Sequence, residues 1–243
     1  MADYSENTYG ERIAGVYDLW YSEVDKAAID VLFKLSRGGR VLELGIGTGR
    51  IALPLSRTGV AVEGIDASEA MVARLHSKPG GKNIPVSMGN FAEVAVEGEY
   101  SLIYVVFNTF FALLTQGEQV RCFQKVARHL TSDGAFVIEA FVPDLTRFTG
   151  GQATRTVKID DHCVQMDVSQ LELDKQLISS QHVVFTRQET QFYPVKLRYA
   201  WPSEMDLMAK LSRLKLKERW SDWKKSPFTA TSGKHISIYE RGR

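Results

Sequence analysis

The sequence predicts an α/β fold: a seven-stranded, mostly parallel sheet with helices on both faces, and an antiparallel sheet inserted after the fifth strand. Three observations lead there. Strand-like and helix-like segments alternate through the first half of the chain, as a parallel sheet covered by helices requires. A glycine-rich loop follows the first apolar strand. After Pro143 the alternation gives way to four strand-like stretches joined by short polar connections, which implies antiparallel pairing.

Arg12 to Leu35 reads as helix in one or two pieces, because Ile13, Val16, Tyr17, Trp20 and Tyr21 share a face. Arg37 to Arg40, with two glycines, breaks it. Val41 to Leu44 is a short buried strand, followed by the glycine loop and a helix to about Arg57. Val60 to Ile65 is the second strand. Ser68 is placed to cap the helix that runs on to Leu75. Pro79-Gly80-Gly81 turns the chain into a third strand, Pro85 to Met88. Leu102 to Phe107, continuously apolar, suits a central parallel strand. A helix over Gln116 to Leu130 ends at Ser132-Asp133-Gly134, and Ala135 to Phe141 is the fifth strand. The inserted strands fall near 155–160, 163–173, 177–187 and 190–200. A helix from Pro202 to about Leu214 and two strands, Lys215–Trp220 and Lys234–Arg241, complete the core. The organisation expected is an N-terminal helical cap (1–36), a core (37–145 and 202–243) and the insert (146–201), a lid over substrate or a pairing surface.

Composition narrows the function. A net charge of +1, with both signs mixed along the chain, supplies no footprint for a nucleic-acid backbone. The polar start of the chain lacks the basic and apolar stretches of a signal peptide. Leu102 to Leu114 is too short and too interrupted to span a bilayer. These readings place the protein in the cytoplasm without nucleic-acid or membrane partners. Cys122 and Cys163 read as two reduced thiols, although a bridge is the alternative, and neither has the neighbours of a zinc site.

Val41-Leu42-Glu43-Leu44-Gly45-Ile46-Gly47-Thr48-Gly49-Arg50 is the most informative segment. A strand, three glycines at alternate positions and a helix start let the backbone turn sharply and let a ligand lie against the main chain, at the carboxyl end of a strand where such sheets bind ligands. A dinucleotide fingerprint would place its third glycine where Arg50 stands, which argues against pyrophosphate and so against a nicotinamide-dependent oxidoreductase. Downstream, the strand Val62 to Asp66 ends in a carboxylate able to accept hydrogen bonds from both hydroxyls of a ribose. Gly89-Asn90-Phe91 then offers an amide beside an aromatic, suited to an adenine edge.

Strand–Glu-Leu-Gly-x-Gly-Thr-Gly–helix, then Gly-x-Asp-Ala-Ser-x-x-Met, then Gly-Asn-Phe resembles the successive motifs of class I methyltransferases, over residues 37–141. The resemblance implies a Rossmann-like methyltransferase sheet and S-adenosylmethionine as cofactor, leaving S-adenosylhomocysteine. It implies that Gly45, Gly47 and Gly49 face the amino-acid part of that cofactor, that Asp66 holds the ribose, that Ala67 and Met71 flank the adenine, and that Glu43, Asn90 and Phe91 also belong to the cofactor site. Asn90 departs from the family's more usual aspartate at the adenine-reading position. Phe107 and Asn108 match positions that line cofactor and substrate, with Phe111 on the substrate side. Ile13-Ala14-Gly15-Val16-Tyr17-Asp18 is similar to the first helix of sugar-amine N-methyltransferases and related small-molecule enzymes. That likeness implies that Tyr17 reaches the cofactor's methionine carboxylate.

The acceptor expected is a small molecule, methylated on nitrogen or oxygen by in-line displacement. Alternatives are a peptide or protein amine, and a methyltransferase-like fold that binds the cofactor without catalysis. Of the aromatics in and after the insert, Tyr199 and Trp201 are expected to face the pocket. If an acceptor proton must leave, His162, His182, His235 and Glu139 are the candidate bases. His76 and His129 fall on flanking helices, and no metal-ligand spacing occurs. The chain is expected to be a monomer or a homodimer.

Overall fold

A computed structural model describes residues 4–242, so the first three residues of the expected cap lie outside the described residues. The chain forms α1 (Thr8–Ile13), α2 (Tyr17–Trp20), α3 (Lys26–Ser36), β1 (Val41–Leu44), α4 (Ala52–Ser56), β2 (Val62–Asp66), α5 (Glu69–Ser77) and β3 (Val86–Met88). It continues through β4 (Tyr100–Val105), α6 (Gln116–His129), β5 (Leu130–Phe141), the insert strands β6 (Gln152–Ile159), β7 (Cys163–Glu172), β8 (Leu177–Thr186) and β9 (Thr190–Arg198), then α7 (Pro202–Leu211), β10 (Leu214–Trp220) and β11 (Lys234–Arg241).

The larger sheet has seven strands in the order β10-β11-β5-β4-β1-β2-β3. Strands β1 to β5 are parallel and β11 runs antiparallel to β5, so one hairpin closes an otherwise parallel sheet. The order reverses at β1, which has β2 on one side and β4 on the other, and the glycine loop leaves β1 at that point. Alternate side chains separate two cores. Leu42, Leu44, Ile103, Val105 and Phe136 pack with Phe123 of α6 and Met205 of α7. Val41, Leu102, Tyr104 and Val137 pack with Leu32 of α3 and Leu55 of α4. Helices therefore cover both faces. The second sheet is β6-β7-β8-β9, wholly antiparallel.

Several boundaries depart from expectation for local reasons. The N-terminal stretch is three helices rather than one or two, because the chain turns around Gly15 and Asp25 caps a fresh helix by accepting the Ala27 amide at 2.9 Å. The fourth strand stops at Val105, since Phe107 and Asn108 both adopt left-handed backbone (φ 58 and 67). The fifth strand begins at Leu130, five residues early, because Tyr100 pairs with Leu130 before an irregularity in register. Ser68 caps α5 as expected, accepting from the Met71 amide. Cys122 and Cys163 are both free, the first buried in the core. Among the described residues no helix is long and apolar enough to cross a membrane.

Candidate functional site

The backbone after Leu44 bends against β2: the amides of Gly45 and Ile46 both donate to the Ile65 carbonyl, at 2.8 and 3.0 Å. Gly45, Gly47 and Gly49 all have positive φ (69, 56 and 76), which side-chain-bearing residues rarely adopt. They serve different ends. A Cβ on Gly49 would lie 2.3 Å from Leu75 Cδ1 of α5, so that glycine permits packing. A Cβ on Gly47 would meet nothing within 4 Å, so that glycine leaves open space. Asp66 closes the bend. Its Oδ2 accepts the Gly47 amide at 2.7 Å and its Oδ1 the Ser68 amide at 2.9 Å. Burial raises the Asp66 pKa, against the lowering effect of the Ser68 and Gly47 amides. Each carboxylate oxygen keeps a further acceptor site, so a sugar diol remains a chemically suitable partner.

The cap lies over this bend. Tyr17, Tyr21 and Phe107 form a ladder, with centroids 4.9 Å apart between the tyrosines and 5.0 Å between Tyr21 and Phe107. The Arg50 guanidinium sits 4.2 Å from the Phe107 ring centre, donates to the Glu23 carbonyl at 3.1 Å, and hydrogen-bonds Tyr17. Its Nε is buried without a partner. A half-buried cation with an uncommitted donor beside open glycine backbone suits a carboxylate. Burial pushes the Tyr17 hydroxyl up to about 12, against the lowering effect of Arg50. Glu43, one strand residue from the loop, accepts the Tyr104 hydroxyl at 2.9 Å, and burial raises its pKa to about 8.

The inner face of the inserted sheet completes the enclosure. Asp167 and Ser169 on β7 lie directly opposite His182 and Ser180 on β8. His182 Nδ1 meets Asp167 Oδ1 at 2.5 Å, Arg155 Nη2 meets Asp167 Oδ2 at 2.9 Å, and the two serine hydroxyls are 2.7 Å apart. Burial raises the Asp167 pKa, but His182 and Arg155 together hold it below the usual carboxylate value. One cavity of about 990 Å³ runs from the glycine loop and Asp66 to this polar face.

Residues 41–134 match the model of a methyltransferase domain. The whole chain is similar to the CcbJ methyltransferase of Streptomyces caelestis, with 36% identity, 99% of this chain and 100% of that chain covered, and a TM-score of 0.89. The chain belongs to the S-adenosylmethionine-dependent methyltransferases. It is an enzyme, and S-adenosylmethionine is its methyl donor. The methyltransferase is also 26% identical to the cypemycin N-terminal methyltransferase of a Streptomyces species, across 97% of this chain and 98% of that protein. CalS10 of Micromonospora echinaspora, an amino pentose methyltransferase solved with S-adenosylmethionine bound, shares the fold. Its TM-score is 0.69 at 19% identity, over 93% of this chain and 96% of that one.

Most residues expected at the cofactor line the cavity of this methyltransferase: Tyr17, Glu43, Gly45, Gly47, Asp66, Ala67, Met71, Asn90, Phe91 and Phe107, and Asn108 lines it too. Gly49 does not, being packed on α5. Asn90 spends its carbonyl on the Ala92 amide (2.8 Å) and its amide on Glu6 (2.9 Å). Other expectations are corrected. Phe111 is fully buried between Phe110 and Phe141, in the short helical turn that follows Asn108. Tyr199 is buried beneath the insert, and Trp201 stands 40% exposed against its edge at the head of α7. Neither reaches the cavity, because β9 ends at Arg198 before them.

Among the four candidate bases only His182 lines the cavity. His162 lies exposed in the β6–β7 turn. His235 is buried within β11 with Nδ1 on the Ser237 hydroxyl, and burial lowers its pKa to about 3. Glu139 is occupied by Trp223 Nε1, Lys234 Nζ and the Phe107 amide, at 3.1, 3.0 and 3.2 Å. The sequence reading missed Arg50, Asp167 and Ser180, which line the cavity together with Tyr9 and Tyr21 of the cap.

Proposed function

We propose that this chain transfers the methyl group of S-adenosylmethionine to an amine nitrogen of a small molecule. The observation that carries the reading is the single cavity of about 990 Å³ shared by the glycine loop and the inner face of the insert. That volume lies at the upper end of the range for one small ligand, which suits a cofactor with a small acceptor beside it. Bound S-adenosylmethionine supplies an electrophilic methyl on a sulfonium, so the protein's task is alignment and exclusion of water. Gly45, Gly47 and Asp66 provide the backbone bed and the carboxylate for the nucleoside. Arg50 and Tyr17 provide donors for the methionine carboxylate. Tyr9, Tyr21 and Phe107 form the aromatic wall between that bed and the insert. A protonated amine is drawn to aromatic faces and to the Asp167 carboxylate, whereas a neutral hydroxyl gains little from either.

A second reading, methylation of a peptide N-terminus, is favoured by the full-length likeness to the cypemycin enzyme. Both readings name an amine, and one experiment separates them. The purified chain is given S-adenosylmethionine with primary and secondary amines, alcohols of matched shape, and short peptides with free or acetylated N-termini. Released S-adenosylhomocysteine and product mass are measured. Small amines are expected to be methylated and matched alcohols to remain unchanged. Turnover of alcohols alone overturns the nitrogen assignment. Turnover of free peptides in preference to small amines replaces the first reading by the second.

A further inference from the structure

We propose that His182, oriented by Asp167, is the residue that takes the acceptor's proton during methyl transfer. The inference rests on the reading that the acceptor is an amine, which arrives at neutral pH mainly as an ammonium without a lone pair to share. A group in the cavity must then accept a proton before nitrogen can attack.

His182 is the one histidine among the described residues that lines the cavity. Its ring is fixed on three sides. Asp167 Oδ1 receives Nδ1, and the edges of Trp20 and Tyr9 meet the ring at centroid distances of 6.2 and 6.5 Å. An ionised carboxylate can only accept a hydrogen bond, so Nδ1 carries the hydrogen and Nε2 carries the lone pair in the neutral ring. Asp167 is itself held through Oδ2 by Arg155, which keeps the carboxylate from swinging away. This base–orienter arrangement is the one by which a carboxylate sets a histidine's tautomer for proton transfer.

Position favours His182 over the other acids and bases. The His182 ring lies against Tyr9, Tyr9 hydrogen-bonds Tyr21, and the Tyr21 ring packs on Phe107 just beyond the carboxyl end of β4. The pair therefore joins the aromatic wall that runs back through Phe107 to Arg50 at the end of the glycine loop. Glu43 is committed to the Tyr104 hydroxyl, and the Tyr9 and Tyr17 hydroxyls are raised by burial, which makes them poor acceptors.

The step balances simply. An N–H bond of the ammonium breaks and its proton moves to His182 Nε2. The freed lone pair forms the N–C bond as the methyl leaves sulfur, and the C–S electron pair stays on sulfur, leaving a neutral thioether. The proton on His182 then passes to water.

The test uses the intact enzyme, S-adenosylmethionine and the small amine that the wild-type chain turns over best. His182→Asn is expected to lower kcat by about 100-fold or more, with KM for the amine changed less than about threefold. Affinity for S-adenosylhomocysteine by calorimetry is expected to stay unchanged, which also verifies folding. Free imidazole is expected to restore part of the activity of His182→Ala. Asp167→Asn, a positioning variant, is expected to lower kcat by about 10-fold without imidazole rescue. A His182→Asn enzyme that binds the cofactor product normally and keeps kcat within threefold of wild type overturns the assignment alone. A wild-type enzyme that methylates no amine removes the amine reading and this inference with it.

Discussion

Lys78 Nζ donates to Asp18 Oδ1 at 2.8 Å, across sixty residues of sequence, and the same ammonium reaches the Thr48 carbonyl at 2.7 Å. Thr48 Oγ1 also donates to Asp18 Oδ1, at 2.6 Å, so the cap helix α2, the glycine loop and the end of α5 meet at one carboxylate. Lys78→Met cuts two of these bonds without touching the cavity wall. The pair is partly exposed, which limits its worth to about 0.5–1.5 kcal/mol. Cofactor affinity measured by calorimetry is expected to weaken about 2- to 10-fold. Unchanged affinity would mean that the cap closes without this clasp.

The three glycines separate packing from binding. Gly49→Ala drives a methyl to 2.3 Å from Leu75 Cδ1 at a strained φ of 76, and is expected to cost about 1–3 kcal/mol. For a chain of this length the melting temperature should fall by about 3–10 °C. Gly47→Ala meets no protein atom, so its stability loss is confined to backbone strain at φ 56. Its expected effect is on cofactor affinity, down more than about 10-fold, because the new methyl projects into the space the ligand needs. Thermal scans and calorimetry on both variants check the contrast.

This division between glycines marks where sequence reasoning succeeds. The bend, its acidic partner and the order of the core strands are legible because each depends on contiguous residues: a strand, a turn that needs positive φ, a carboxylate at the next strand's end. The insert's four strands are legible too, but not which face matters. Polar Asp167, Ser169, Ser180 and His182 point into the cavity, while Ile159, Val168, Phe185 and Phe192 stand on the opposite face, 42–70% exposed. The inner face mixes these polar groups with Ile178, Val195 and Leu197, so alternation of apolar and polar residues does not single it out. Arg50 was legible only as a departure from a dinucleotide pattern. Its value comes from Phe107 and Tyr17, residues far away in sequence.

Glu43 gives a pH signature. Its folded pKa of about 8 lies above the ordinary carboxyl value of 4.5, chiefly through burial. The folded state therefore holds the proton more tightly than the unfolded chain. The stability this contributes is fully present below about pH 4.5 and is lost as pH rises through about 8. Glu43→Gln keeps the size and an acceptor for Tyr104 but removes the titration. Relative to wild type, the variant is expected to gain about 2 kcal/mol or more in stability between pH 6 and pH 9, read by denaturant unfolding. A constant difference between the two proteins across that range would place the carboxyl's titration elsewhere.

The insert is joined to the core by a buried polar cluster around Arg198, the last residue of β9, itself only 4% exposed. Its guanidinium donates to Gln119 Oε1 of α6 at 2.5 Å, to Gln176 Oε1 at 2.8 Å and to Glu204 Oε1 of α7 at 2.8 Å. Gln119 returns a bond to the Arg198 carbonyl at 2.9 Å, so one residue ties the inserted sheet to both helices on that face. Arg198→Met preserves the stem's packing and removes every charged donor. Glu204 then keeps only Gln116 and Gln176 as partners. Stranding a partly buried carboxylate is expected to cost about 2–4 kcal/mol, and to lower the melting temperature by about 5–15 °C. The pH dependence of stability should weaken. Although burial raises it, the Glu204 pKa is held below its usual value by Gln176, Arg198 and Gln116, so wild type gains stability as pH rises through the acid range. Without Arg198 that gain should shrink, and the deficit of the variant should be larger at pH 7 than at pH 4. Equal deficits at both values would show that the loss comes from packing of the arginine stem and not from its charge.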